Sequence, residues 1–163
     1  MRAVACVLLV GCSFHTQAAG GGGGEVDAPA GTVDAPGASA TCLARATGTF
    51  AGKHYFATAN SLAWIGAQHD CASSGGHLVK ITSAAENDFV TTTFASASGA
   101  GYTWIGLHDD STGTYVWADG SALIGYTAWS SQQPPPGMCV DSNGKWDGYG
   151  CDNTNHGGAC SCE

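Results

Sequence analysis

Basic side chains are scarce in this sequence: Lys and Arg number 5 against 13 Asp and Glu, a formal net charge of −8. Binding to nucleic acid rests on clustered cations that release counterions from phosphates. Beyond Arg2 only Arg45, Lys53, Lys80 and Lys145 occur, widely scattered, so the sequence has no nucleic-acid footprint. Long apolar runs are missing as well: past Ala3–Val10 no stretch approaches the roughly 20 residues of a membrane span. The six histidines lie apart, and no serine sits in a nucleophile elbow. The neighbours His108–Asp109 and His69–Asp70 are adjacent positions that strand or helix geometry points apart. An enzyme is therefore not the expectation. The glycine run Gly20–Gly24 lacks the Gly-Lys-Ser/Thr and the strand-to-helix context of a phosphate-binding loop.

What is present begins with Met1-Arg2, an apolar run, and Leu9-Val10-Gly11-Cys12. This reads as an export signal over residues 1–11 ending in a lipobox, with Cys12 acylated and becoming the first mature residue. The membrane would then be reached through a lipid anchor only. Ser13, rather than aspartate, after the lipidated cysteine points to the outer membrane or cell surface. Residues 12–40 hold the glycine run and two near-copies, Val26-Asp27-Ala28-Pro29 and Val33-Asp34-Ala35-Pro36. Such a stretch buries no core and reads as a flexible tether.

Residues 41–163 are of a size that suits one domain. Of the 8 cysteines, Cys6 leaves with the leader and Cys12 is acylated. The remaining Cys42, Cys71, Cys139, Cys151, Cys160 and Cys162 form an even set, which in an oxidising compartment reads as three disulfides with fifteen possible pairings. A zinc site on His156, Cys160 and Cys162 lacks the usual ligand spacing.

Residues 49–58 read as a hairpin or two short strands around Gly52. A helix follows, capped by Asn60 or Ser61, with Trp64, Ala67, Gln68 and Cys71 on one face. Gly75-Gly76 ends it, residues 77–81 form a short strand, and Ser83 with Glu86 makes a capping box that opens a second helix, whose buried face is Phe89, Val90 and Phe94. Short strands over residues 102–107, 115–118, 138–141 and 160–163 complete an α+β arrangement.

A string of motifs accompanies that order of elements. Tyr55, Trp64, Ala67 and Cys71 are followed by Gly75-Gly76-His77-Leu78-Val79, then by Ser83, Glu86-Asn87 and Phe89-Val90. Trp104-Ile105-Gly106-Leu107, Trp117-Ala118-Asp119-Gly120, Tyr126, Trp129, Cys139-Val140, Trp146, Cys151 and Cys162-Glu163 continue it. In this order the set resembles a C-type lectin-like domain. The resemblance implies two helices, short antiparallel strands with Trp104–Leu107 buried at the centre, and a long irregular loop region.

The resemblance also implies disulfides Cys71–Cys162 and Cys139–Cys151, leaving Cys42 for Cys160, with an exchange between Cys160 and Cys162 as the alternative. Sugar-binding members of the family hold calcium in the long loop. The matching positions here are Gln133, Pro135, Gly137, Asp147 and Gly148, so only Gln133 and Asp147 offer side-chain oxygen as metal ligands. Calcium takes six to eight oxygens, and Asp141, Asn143 or Asp152 are the nearest substitutes. Asp109 and Asp110 read as a solvated turn or as remnants of a second calcium site, and Gln133-Pro134 as the place of a cis peptide. Tyr149, in a loop between two glycines, is the surface aromatic on which a sugar ring can stack, whereas Trp129 and Trp146 read as core. The expected ligand is a glycan, bound with weakened or altered calcium dependence. The alternative is a calcium-independent module that binds a surface protein.

Overall fold

The computed structural model describes residues 37–95, 101–130 and 136–163. The leader, Cys12, the tether as far as residue 36, and Gln133 with Pro134 and Pro135 lie outside the described residues. Every described element falls within the unit Ala35–Glu163.

The chain enters through a short helix, α1 (Ala40–Arg45), whose N-cap Ser39 accepts the amide of Cys42 at 3.1 Å. Arg45 closes that helix onto α2 (Trp64–Ser73), reaching both carboxylate oxygens of Asp70 at 2.9 and 3.0 Å while stacking over Phe56. The expected hairpin is β1 (Gly48–Phe50) and β2 (Lys53–Ala57), turned by Ala51 and Gly52, both at positive φ. The cap of α2 is Ala63, which offers no side-chain oxygen, and not Asn60 or Ser61. Ser61 instead takes a positive φ, and Leu62 bridges to His156, which holds the chain extended until Trp64. Trp64, Ala67 and Cys71 are the buried face, as their spacing predicts, and Gln68 accepts the amide of Leu78.

After β3 (His77–Leu78), Ser83 caps α3 (Ala84–Val90) by accepting the amide of Glu86 at 3.1 Å. Glu86 does not complete a capping box on Ser83. Its carboxylate accepts the amide and hydroxyl of Thr82 and the hydroxyl of Tyr55. Burial opposes ionisation of this carboxylate, but those donors and Lys53 outweigh it and hold Glu86 below the usual carboxylate range. A π-helical turn, Thr91–Ala95, extends α3 and buries Phe94.

The strands β4 (Thr103–Asp109), β5 (Tyr115–Trp117), β6 (Met138–Ser142), β7 (Trp146–Gly150) and β8 (Gly157–Cys162) complete the fold. The sheet runs β1-β2-β8-β4-β6-β7, with β3 on β8 and β5 on β4. Its centre is β4, where Trp104, Ile105 and Leu107 are fully buried. Gly106 is required there: a Cβ would come within 2.6 Å of the Leu78 carbonyl oxygen, where the Gly106 amide donates to Val79. The strand β7 goes beyond the sequence expectation, because its glycines mask a strand that is paired residue for residue with β6.

Side chains alternate across this sheet. One face carries Ile105, Leu107, Val140 and Trp146 into a core with Val79, Val90 and Phe94. The other carries Trp104 and Cys139 into a second core with Trp64, Leu78 and the cysteines of the first two bridges. Three disulfides brace the fold: Cys42–Cys162, Cys71–Cys160 and Cys139–Cys151. The implied Cys71–Cys162 and Cys42–Cys160 pairs are thus corrected to the exchanged arrangement. Cys160 lies opposite Leu78 and Phe56, beneath α2, while Cys162 lies one step nearer the strand end, opposite His54 and within reach of α1. With both thiols oxidised, the zinc reading is ruled out.

Candidate functional site

On the sheet face that bears Trp104, the register places Trp104 beside Asp141 and Asp141 beside Asp147. Two residues along β7, Tyr149 lies opposite Cys139. Tyr102, two residues before Trp104, brings its ring to 6.4 Å from that of Tyr149. His156, on the approach to β8, fills the space between them, its ring centroid 4.5 Å from Trp104, 5.4 Å from Tyr149 and 5.9 Å from Tyr102.

Beneath the rings, Nε2 of His156 is 2.8 Å from Oδ2 of Asp141. Both residues are buried, at 4% and 0% exposure. The contact is close but poorly directed, and neither Asp141 oxygen nor Nδ1 of His156 makes a well-aligned hydrogen bond. Burial, and then the nearby charge of Asp147, push Asp141 up to about 8, while burial holds His156 below the usual imidazole range.

At the outer edge Asp147 is half-buried and accepts a short hydrogen bond from the hydroxyl of Ser130. That contact ties β7 to the segment after Trp129, whose ring packs edge-on against Trp146. Trp146 is core, as expected, and its indole donates to Asn87 Oδ1 at 2.8 Å. Tyr149 is 38% exposed, in keeping with its surface assignment.

The sequence candidates therefore separate. Asp141, Asp147 and Tyr149 come together on one face. Asn143 does not join them: it sits in the turn of the β6–β7 hairpin, at the opposite end from Tyr149, where its Oδ1 accepts the Lys145 amide. Asp152 is exposed beyond β7. Gln133 lies outside the described residues. The residues that the sequence reading missed are Tyr102, Ser130 and His156. Tyr102 was traceable in the alternation with Trp104, whereas nothing local marks His156.

Asp109 belongs to a different device. Its Oδ1 accepts the amides of Ser111 at 2.6 Å and Gly113 at 3.1 Å, and its Oδ2 accepts that of Gly137 at 2.9 Å. The Gly137 amide, then those of Gly113 and Ser111, holds Asp109 below its ordinary range. One carboxylate thus fastens the turn after β4 to the residue that leads into β6. Asp110 accepts the amide and hydroxyl of Thr112 within the exposed turn.

The described residues do not assemble a calcium site. Gly137 and Gly148 carry no side-chain ligand atom, Asp147 accepts from Ser130, Asp109 accepts from three backbone donors, and Asp141 is buried against His156. Among the described residues, no three His, Cys, Asp or Glu side chains are grouped to hold a metal.

A family model described as the Lectin C-type domain matches residues 60–161. The chain belongs to the C-type lectin domain family. It is 34% identical over 110 residues to the low affinity immunoglobulin epsilon Fc receptor of Homo sapiens, covering 63% of this chain and 33% of the receptor. It is 30% identical over 159 residues to lithostathine-2 of Mus musculus, covering 90% of each. Among solved structures, the C-type carbohydrate-recognition domain of cow CD23, studied in the presence of a GlcNAc2Man3 oligosaccharide, is 31% identical with a TM-score of 0.59. That match covers 69% of this chain and 88% of the other. The chain spans about a third of the length of the receptor it matches, so the likeness is to a part of that protein.

Proposed function

We propose that this chain is an exported, lipid-anchored surface protein whose C-type lectin domain recognises carbohydrate with little contribution from calcium. The observation that carries the reading is the division of labour on the β6–β7 face. Asp147 is engaged by the Ser130 hydroxyl, while Tyr149 remains exposed on the same strand face as Asp147. An aromatic ring next to polar groups suits a sugar, which offers an apolar ring face and hydroxyls together. Kinship with the cow CD23 carbohydrate-recognition domain, studied with an oligosaccharide, supports a glycan ligand. The lipid anchor rests on the Leu9–Cys12 lipobox and the tether that follows it.

A second reading, a calcium-independent module binding a surface protein, is favoured by the likeness to an immunoglobulin receptor. A glycan array probed with the disulfide-intact domain, once in calcium and once in chelator, separates the two. Glycan binding that survives chelation supports the proposal. Binding abolished by chelator contradicts the minor role given to calcium, and no glycan binding in either buffer leaves the protein-interaction reading.

A further inference from the structure

Resting on the carbohydrate reading above, we infer that the Asp141–His156 pair under Tyr149 is the polar half of the sugar site, a buried donor and acceptor that meet a ligand hydroxyl when the Tyr149 ring swings aside.

His156 Nε2 and Asp141 Oδ2 are 2.8 Å apart. Two bare lone pairs repel at that distance, so a proton lies between them. A proton on the carboxyl selects the Nδ1–H tautomer and imidazolium also carries Nδ1–H, whereas a neutral Nε2–H tautomer facing a carboxylate leaves Nδ1 bare. Burial of the Asp141 carboxyl favours the first of these at neutral pH. The pair accordingly presents one donor, Nδ1–H, and one acceptor, Asp141 Oδ1. Both atoms are buried and without an aligned partner. Leaving such groups unmet costs free energy, and a hydroxyl, which donates and accepts at once, is their complement.

The cover is suited to opening. Tyr149 is 38% exposed, stands between Gly148 and Gly150, and belongs to β7, the last strand of the sheet. It packs on His156 and Tyr102 by ring contact. Turned outward, the Tyr149 ring offers a stacking face for the apolar side of a sugar. The nearby carboxylate of Asp147 disfavours an anionic ligand, so the chemistry selects a neutral polyhydroxylated one. No metal is needed in this arrangement, which sets it apart from recognition through coordinated calcium.

The test uses the disulfide-intact chain in chelator with N-acetylglucosamine, methyl mannoside and the GlcNAc2Man3 oligosaccharide as probes. The expected result is binding that weakens about five- to tenfold in Tyr149→Ala and by a similar factor in His156→Gln, with Ile65→Ser on α2 unchanged. Because His156→Gln changes a buried residue and can disturb folding, imidazole 15N shifts of the wild-type chain give an independent readout, and Nδ1 of His156 is expected to move on sugar addition. If a sugar binds but Tyr149→Ala leaves affinity intact and the His156 signals stay still, this inference fails while the carbohydrate reading stands. If no probe binds, both fail.

Discussion

The Asp109 carboxylate accepts the backbone amide of Gly137 at 2.9 Å, joining two segments that are 28 residues apart. With the amides of Ser111 and Gly113 it has three donors, the kind of environment that favours the ionised form. A carboxylate so engaged closes the loop region without an ion. Asp109→Ala is therefore expected to lower the melting temperature by a few degrees. Calcium is expected to leave the wild-type and variant melts where chelator puts them, since an ion that binds only the folded state must raise its stability. Differential scanning calorimetry in both buffers checks this, and a calcium-dependent rise in the wild type would contradict it.

The exchanged bridges make a prediction by subtraction. Cys42→Ser with Cys162→Ser removes one observed disulfide and leaves the other two intact, so the domain should fold at a cost of about 2 to 4 kcal/mol. Cys42→Ser with Cys160→Ser breaks two bridges and strands Cys71 and Cys162. Thiol titration of the folded variants should find no free thiol in the first and two in the second. The opposite outcome would restore the pairing that the resemblance implies.

That exchange shows where the sequence stops being legible. Cys160 and Cys162 are separated by one residue, so both fall on the same face of β8, and the period of a strand does not distinguish them. Their partners are decided by where α1 and α2 cross that strand, a tertiary fact. The motifs carried by single elements were readable: the hairpin at Gly52, the buried face of α2 and the Ser83 cap stand as their local patterns predict, and Trp104–Leu107 is central as the resemblance implies. The candidate site was legible only in part. Asp147 and Tyr149 share a strand face, but Asp141 meets His156 through the chain's return after Cys151, and Asn143 is carried away by the hairpin turn.

Asn87 links the two sides of the larger core. Its Oδ1 accepts the Trp146 indole N–H at 2.8 Å, and its Nδ2 donates to the Gly144 carbonyl at 2.9 Å. Trp146 is fully buried, so its abandoned indole N–H would find no bulk water. Asn87→Ala should destabilise by about 2 to 4 kcal/mol, the cost of a small cavity with an unmet polar group. Urea unfolding followed by tryptophan fluorescence measures it, and a loss under about 0.5 kcal/mol, the range of ordinary surface substitutions, would show that the network carries no weight.

The Asp141–His156 pair gives stability a pH dependence whose sign follows from counting protons. Folded, the pair holds one shared proton, because Asp141 is raised to about 8 and His156 is lowered. Unfolded, the same two residues hold two protons below about pH 4, one between about 4 and 6.5, and none above. Stability rises with pH where the unfolded chain holds more protons and falls where it holds fewer. Between about pH 6.5 and 8 the folded pair still holds a proton that the unfolded chain has lost, so the pair loses stability as pH rises across that window. The alkaline limb amounts to about 2 kcal/mol at most, from roughly 1.5 pH units at 1.36 kcal/mol each. Asp141→Asn removes the carboxyl that keeps the proton, so its stability should be flat across pH 6.5–8 where the wild type declines. Urea midpoints at half-unit pH steps make the comparison, and parallel curves for the two proteins would mean that the pair does not hold the proton assigned to it.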